Sequence, residues 1–197
     1  MIKDYQTGPQ GLEDLLGVAA NYIDIFKFVT GTVRLFDRGQ IIQKTAFLRQ
    51  HQVRPFLGGQ FQEYVPHTIG MDAFPRHLKE TRDLGFEIVE ISDNVVSLPN
   101  GARKHLLDQI RDLGMSPVGE VGNKHETTSP RTIVDDVKLA LKEGSEFAMM
   151  DGVPNVELIT MLENEVDVGR CMFEVTTPYI GSTLHEVFVV SGPTTPP

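Results

Sequence analysis

The sequence predicts an α/β fold, a TIM-like (β/α) barrel that is incomplete, with about seven strand-helix units. The prediction rests on three segments with one layout, in which a helical stretch ends at a glycine and an acid closes the apolar run that follows. These segments recur about every 30 residues, the length of one strand-helix unit in a parallel sheet. The glycines are Gly85, Gly114 and Gly144, and the acids are Glu90, Glu120 and Asp151.

The helices of these units carry recognisable start and stop residues. A glycine just past a helix end suits the left-handed conformation of a C-cap. Pro75 and Pro130 stand where a first-turn proline is tolerated, and Ser129 can cap the second of these helices. Between Ser129 and Gly144 an apolar stripe follows the helical period, formed by Ile133, Val137, Ala140 and Leu141.

Four further segments extend the pattern to seven strands. They are MIKD at the start, YIDIFKF near 22–28, VRPFLGG near 53–59 and RCMFEV near 170–175. No clear eighth strand follows, because HEVFVV near 185–190 runs into SGPTTPP. We therefore expect one α/β-barrel domain over 1–185 and an irregular tail over 186–197. An open doubly wound sheet stays possible, although no dinucleotide-type glycine fingerprint follows the first strand.

Composition limits the classes of function. The formal net charge of −9 argues against binding of nucleic acid or an anionic membrane through bulk charge. The chain has no apolar run long enough to span a bilayer, and its start lacks the layout of a signal peptide. Cys171 is the only cysteine, which excludes an internal disulfide and fits a reducing compartment. We therefore expect a cytoplasmic protein.

Charged side chains close the predicted strands. Because successive side chains on a strand point to opposite faces, Ile88, Glu90 and Ser92 share one face. The C-terminal ends of barrel strands meet at one mouth, where barrel enzymes build their sites. One charged residue at a strand end is commonly the start of a solvated loop, but here five coincide: Lys27, Glu90, Glu120, Asp151 and Glu174.

Clustered carboxylates repel one another and therefore need a divalent cation or a lysine nearby. Oxygen ligands of this kind suit magnesium. The six histidines are scattered without an HxH or HxxxH pair, which argues against zinc. Gly58 and Gly59 either let the backbone approach an anion or simply form a turn. Arg34, Arg38 and Arg54 are either anion contacts or solvated surface.

Five segments resemble the phosphosulfolactate synthase family in order and spacing: YIDIFKFVTGT, FLGGQFQEYV, LGFEIVEISDN, PVGEVGNK and MFEV. The resemblance runs from about residue 1 to about residue 177, and its most specific parts are LGFEIVEISD and EVGNK. It implies a (β/α)8 barrel and the magnesium-dependent addition of sulfite to phosphoenolpyruvate. The product would be phosphosulfolactate, an early intermediate on one route to coenzyme M. Plant heat-stress-associated relatives share the domain, so the fold alone does not fix the reaction.

The resemblance also implies roles for single residues. Lys124 of EVGNK would be the general acid, with Glu120 beside it as a further catalytic group. Lys27 would contact or polarise the anionic substrate, and Asp4 matches the acid that ends the family's first strand. A magnesium ion would stabilise the enolate-like charge as a Lewis acid. Its ligands would be Glu90, Glu120, Asp151 and Glu174, and the further substrate contacts would be Gly58, Gly59 and Ser92.

Two departures from the family pattern leave alternatives open. The loop after Lys27 reads VTGTVR where the family usually has Trp and Ser, and MDGVPN lacks the usual arginine after the sixth strand. The chain is therefore either a lyase for phosphoenolpyruvate or a related enol acid, or a non-catalytic or truncated barrel with a binding role. Another barrel enzyme, such as an aldolase or isomerase, is a third possibility. The exposed edges of an incomplete barrel favour a homo-oligomer.

Overall fold

The computed structural model describes residues 1–5, 7–29, 31–59, 61–92, 96, 98–99, 101–122, 128–152 and 154–174. Its core is a single seven-stranded sheet in which every neighbouring pair of strands is parallel and the strand order follows the chain. The strands are β1 (Ile2–Asp4), β2 (Ile25–Phe28), β3 (Arg54–Leu57), β4 (Ile88–Ile91), β5 (Ser116–Val121), β6 (Phe147–Asp151) and β7 (Cys171–Glu174).

Helices connect the strands on the outer side of the sheet. They are α1 (Pro9–Ala19), α2 (Arg38–Gln50), α3 (Phe61–Tyr64), α4 (Phe74–Asp83), α5 (Ala102–Asp112), α6 (Pro130–Glu143) and α7 (Val156–Glu165). Short 3-10 turns lie at Ala20–Tyr22, Thr32–Leu35, Met71–Ala73 and Val168–Arg170, and a π turn lies at Val65–Ile69. Seven parallel strands with helices between them confirm the predicted incomplete α/β barrel. The predicted tail at 186–197 lies outside the described residues.

The helix boundaries follow from the capping residues in the sequence. Ser129 caps α6 by accepting a hydrogen bond from the backbone N–H of Thr132 at 3.2 Å. Asp37 caps α2 in the same way, with the N–H of Gly39 at 2.8 Å. At the other end of α6, Gly144 has a φ of 108°, a conformation that side chains other than glycine rarely adopt. These caps fix where each helix turns back toward the next strand.

The apolar side chains form an outer layer and an inner layer. Outward-facing residues such as Phe28, Ile91 and Met150 are buried against the helices. The inner cluster fills the lower part of the barrel and consists of Ile25, Phe56, Ile88, Val118 and Met149. Two residues further along most of these strands, on the same face, the inward side chains become charged. The alternation of strand side chains therefore places an apolar floor beneath a polar mouth.

Arg54 lies at the opposite end of the barrel from that mouth, at the start of β3. Its Nη1 is 3.0 Å from Glu146 Oε1, and its Nε is 3.7 Å from Glu87 Oε2. Its other terminal nitrogen contacts Ser116. Arg54 therefore ties β3, β4, β5 and β6 together at the N-terminal ends of the strands, where barrels carry stabilising contacts. It is neither an anion contact at the mouth nor free surface.

Candidate active site

Lys27 occupies the middle of the polar mouth. It points inward from β2, and its side chain is only 2% exposed. The ammonium nitrogen lies 2.6 Å from Glu90 Oε2 in β4 and also contacts Glu174 Oε2 in β7. Below it, Met149 Sδ is 3.6 Å away and the ring centre of Phe56 is 5.3 Å away. A cation at the end of one strand is thus held by carboxylates from two others.

The ion pairs extend from Lys27 to both sides of the mouth. Glu174 uses its second oxygen to bind Lys3 of β1, with an Nζ to Oε1 distance of 2.8 Å. Glu90 uses its second oxygen to accept a hydrogen bond from the backbone N–H of Gly59 at 3.2 Å. This network joins β1, β2, β4 and β7 with the turn after β3. Sequence patterns predicted its members except Lys3, which strand alternation in MIKD places on the inner face.

Gly58 makes room for this network. A β-carbon at this position would lie 2.1 Å from Lys27 Cε and 2.8 Å from Glu90 Oε2. Any side chain would therefore push the lysine and the carboxylate apart. Gly59 has a φ of +91° and directs its N–H at Glu90. The two glycines fit and organise the ion pair, and their predicted contact with substrate stays a prediction.

The electrostatics of the mouth keep Lys27 charged. Burial acts to lower the pKa of Lys27, but the charges of Glu90, Glu174 and Glu120 outweigh burial and raise this pKa above its usual value. For Glu174, burial acts to raise the pKa, but the charge and hydrogen bond of Lys27, together with Lys3, lower it. Both members of the pair are therefore ionised at neutral pH, and Lys27 is a fixed positive charge.

Glu120 and Asp151 complete the set of strand-end acids. Glu120 is buried in β5 at 1% exposure, and its charge helps to raise the pKa of Lys27. Asp151 ends β6 beside Glu174, its register partner in β7, and is exposed. The structure thus brings Lys27 together with the three glutamates, as strand alternation predicted. Lys124 lies outside the described residues, so its role as the acid stays a prediction.

The predicted magnesium ligands do not all fit one ion. Glu90 and Glu174 are held by Lys27, whose ammonium stands where a cation shared by these carboxylates would lie. Among the described residues, no group of three or more acidic, histidine or cysteine side chains is arranged to hold a metal ion. Magnesium proteins often supply only one or two carboxylates and leave the other positions to water and substrate. Glu120 and Asp151 are the other two predicted ligands, and their role at a metal ion stays a prediction.

Glu63 is a residue at the mouth that the sequence analysis missed. It belongs to α3, directly after the turn at Gly59, and is buried at 1% exposure. Its carboxylate accepts hydrogen bonds from the hydroxyl of Ser92 and from the backbone N–H of Val96, the latter at 2.8 Å. Ser92, a predicted substrate contact, lies at the mouth, and its hydroxyl donates its hydrogen bond to Glu63. The sequence feature that could have predicted Glu63 is its place as an acid shortly after the end of a predicted strand.

Asp4 does not join the mouth. Its Oδ2 lies 2.6 Å from the ammonium of Lys44 in α2, and both residues are buried. Lys44 also donates to the backbone oxygen of Thr7 at 2.6 Å, and its nitrogen is 4.7 Å from the ring centre of Phe28. The acid that the resemblance matched to the family's first strand thus fastens β1 to α2 on the outer side. Its neighbour Lys3 faces inward instead.

The sequence model of the family described as (2R)-phospho-3-sulfolactate synthase (ComA) matches residues 1–191. The chain belongs to this family. It is 29% identical over 179 residues to the phosphosulfolactate synthase of Methanocaldococcus jannaschii, covering 85% of this chain and 70% of that protein. It is 30% identical over 155 residues to the phosphosulfolactate synthase of Methanothermobacter thermautotrophicus, covering 77% of this chain and 59% of that protein. Membership of the phosphosulfolactate synthase family supports a lyase and confirms the resemblance seen in the sequence.

Solved structures agree on the fold. The chain is similar to 3-dehydroquinate dehydratase from Enterococcus faecalis, with a TM-score of 0.56 and 11% identity over 95% of this chain and 83% of that one. It is also similar to a mutant tryptophan synthase alpha-subunit from Pyrococcus furiosus, with a TM-score of 0.54 and 13% identity over 98% and 91% of the two chains. At these identities the similarity shows that the barrel architecture is shared, and it says nothing about function.

Proposed function

We propose that the protein is a lyase of the phosphosulfolactate synthase type, which adds sulfite to phosphoenolpyruvate or to a related enol acid. The family supplies the reaction class. The single observation that supports it most directly is the buried ammonium of Lys27, held between Glu90 and Glu174 at the ends of the strands. A preorganised charge in a site shielded from water is the usual means of stabilising charge that develops during a reaction.

In the proposed reaction the sulfur lone pair of sulfite forms a bond to the methylene carbon of the enol acid. The electrons of the carbon-carbon double bond move onto the carboxylate, which gives an enolate-like intermediate. The neighbouring carbon then takes a proton from Lys124, the predicted acid. The raised pKa of Lys27, caused by Glu90, Glu174 and Glu120 against the effect of burial, favours its charged form. Its role is to hold positive charge near the substrate carboxylate.

The ion pairs of the mouth support a requirement for a further cation. Among the described residues, the ammonium groups of Lys3 and Lys27 are matched by the carboxylates of Glu90 and Glu174. This network therefore offers an anionic substrate no net positive charge. Lys124 can supply part of that charge, and we keep magnesium as a proposal for the rest. A bound ion would act as a Lewis acid, and its proposed ligands come from Glu90, Glu120, Asp151 and Glu174.

The second candidate is a non-catalytic barrel with a binding role. Among the described residues no backbone pairing joins β7 to β1. The chain also spans only 70% and 59% of the two relatives. Unpaired strand edges are commonly covered by another chain, and we propose a homo-oligomer, which light scattering after size exclusion would measure. Among the described residues, no helix is long and apolar enough to cross a membrane.

The experiment is a sulfite-consumption assay with phosphoenolpyruvate, repeated with unphosphorylated enol acids, in magnesium and in chelator. Mass spectrometry would identify a sulfonated product. Asp151→Asn should weaken the response to magnesium, whereas Asp135→Asn, at an exposed position of α6, is the matched control and should not. Turnover that is equal in magnesium and chelator would refute the ion and leave the lyase standing. No turnover with any acceptor would refute the lyase and favour the binding role.

A further inference from the structure

A cavity of about 180 Å³ lies on the outer side of the sheet, behind β3. It is bounded by the 3-10 turn Thr32–Leu35 and by α2 and α4, and we call it the lateral cavity. Its wall includes Val33, Ile41, Leu57 and Leu84, all of them buried apolar residues. Leu57 faces outward from β3, so the strand itself separates the lateral cavity from Lys27 and Glu90.

The size and lining of the lateral cavity suit a small apolar group. Protein interiors are close-packed and contain few voids larger than a water molecule. Cavities of roughly 150 Å³ lined by aliphatic and aromatic side chains take up a benzene ring. The lateral cavity is of that size, and its wall also includes polar side chains: Arg34, Arg38, His77, Glu80 and Thr81. It can therefore accept one ring, or a branched chain of similar bulk, with a polar end against these side chains.

The polar side of the lateral cavity carries one uncompensated positive charge. The guanidinium carbon of Arg34 lies 5.7 Å from the ring centre of Phe61, and no acid among the described residues forms an ion pair with it. Arg38, by contrast, is paired with Glu80 at 2.9 Å. The pKa of His77 is lowered to about 4, by burial first and then by the charge of Arg34, so His77 is neutral at pH 7.

We propose that the lateral cavity binds a small monocarboxylate with a flat apolar body, the body in the cavity and the carboxylate on Arg34. A guanidinium offers two parallel N–H donors that match a carboxylate. Arg34 is exposed and lies over the ring of Phe61 in the cavity wall, so its guanidinium can be reached by a carboxylate whose body fills the cavity. Among the described residues of the wall, the other arginine is Arg38, which Glu80 engages, so a dianion has no second unpaired arginine there. This proposal is independent of the reaction at the mouth.

The test compares benzoate with benzyl alcohol, which has the same ring and no charge. Benzoate should raise the melting temperature of the full chain in proportion to the logarithm of its concentration above its dissociation constant. Benzyl alcohol should do so more weakly. Arg34→Gln should weaken benzoate binding about tenfold or more, the effect of losing a charge-assisted hydrogen bond. Arg76→Gln, an exposed arginine of α4 that is not part of the cavity wall, should leave benzoate affinity unchanged.

Two further measurements test whether benzoate binds inside the lateral cavity. Methyl NMR signals of Ile41 and Leu57 should shift with benzoate and saturate at the same dissociation constant. Val33→Phe, which puts a ring into the cavity, should abolish those shifts; if this variant does not fold, the methyl titration of wild type decides the matter alone. The proposal is overturned if benzoate gives no saturable shift at these methyls. It is also overturned if Arg34→Gln and Arg76→Gln bind benzoate equally.

Discussion

Removing the charge of Lys27 tests whether the barrel mouth is organised by a buried cation. In Lys27→Met the side chain keeps most of its length and its contact with the ring of Phe56. Glu90 and Glu174, whose side chains are 0% and 6% exposed, would lose their shared partner. Leaving buried charges unpaired costs about 3–5 kcal/mol of unfolding free energy. We expect a loss of that size at pH 8.

The pH dependence of this loss follows from the direction of the pKa shifts. In wild type the pKa of Lys27 is raised and that of Glu174 is lowered, so their contributions hold between pH 8 and 5. In Lys27→Met, Glu90 is buried without a cation and Glu174 keeps only Lys3, and a buried carboxylate that has lost its counterion is more easily protonated. They take up protons in the folded state as the pH falls. The loss should therefore shrink from pH 8 to pH 5.

Urea unfolding of both proteins at pH 8, 7, 6 and 5 measures this difference. Lys104→Met is the matched control, because the exposed Lys104 pairs with Asp108 on the surface of α5 and should show no comparable pH trend. A loss that is equal at pH 8 and pH 5, or one below about 1 kcal/mol at pH 8, would refute the reasoning. Either result would mean that the carboxylates are not desolvated as the structure has them.

Three other variants test the space at Gly58, the ion pair between Asp4 and Lys44, and the role of Lys124 as the acid. Gly58→Ala would place a β-carbon 2.1 Å from Lys27 Cε and should cost about 1–3 kcal/mol of unfolding free energy, measured by urea unfolding. Lys44→Met leaves Asp4 buried without its partner and should cost about 3–5 kcal/mol in unfolding free energy while kcat stays near wild type, since this pair is outside the mouth. Lys124→Ala should lower kcat by a factor on the order of 10² to 10⁴ with a smaller change in substrate binding, and unchanged kcat would refute its role as the acid.

The sequence predicted most of the fold because residues within each strand-helix unit mark where its helix begins and ends. Gly144 and Ser129 mark the ends of α6 through local backbone preferences that do not depend on the rest of the chain. Alternation along a strand is equally local, so Glu90 and Glu120 could be assigned to the inner face before any contact was known. The convergence of these acids then follows from the parallel sheet alone.

Partners across the barrel could not be predicted in the same way. Lys27 and Glu174 are 147 residues apart, and the sequence around either residue does not predict that the two form an ion pair. The pairing of Asp4 with Lys44 depends on which face of the three-residue strand β1 meets α2. Glu63 lies in the four-residue helix α3, which is too short to show a periodicity that would fix the direction of its side chain. The sequence therefore predicted which charges lie near the mouth and left open which charges neutralise one another.

Glu90→Gln tests whether neutralisation of Lys27 by its two carboxylates limits anion binding. The change removes one carboxylate from the mouth and leaves Lys27 paired with Glu174 alone, so more of the lysine's field reaches a bound anion. At an effective dielectric of about 20, removing one charge some 8–10 Å from a bound anion is worth about 2 kcal/mol before screening. We expect the dissociation constant for phosphoenolpyruvate to fall by roughly tenfold.

Calorimetric titration of Glu90→Gln with phosphoenolpyruvate, with and without magnesium, measures this change. The control Glu157→Gln removes the same charge from an exposed position on α7 and should leave affinity unchanged. If magnesium supplies the missing positive charge in wild type, its effect on affinity should be smaller in Glu90→Gln, because Lys27 then already supplies part of that charge. Tightening in neither condition would mean that phosphoenolpyruvate does not bind within reach of the Lys27 network.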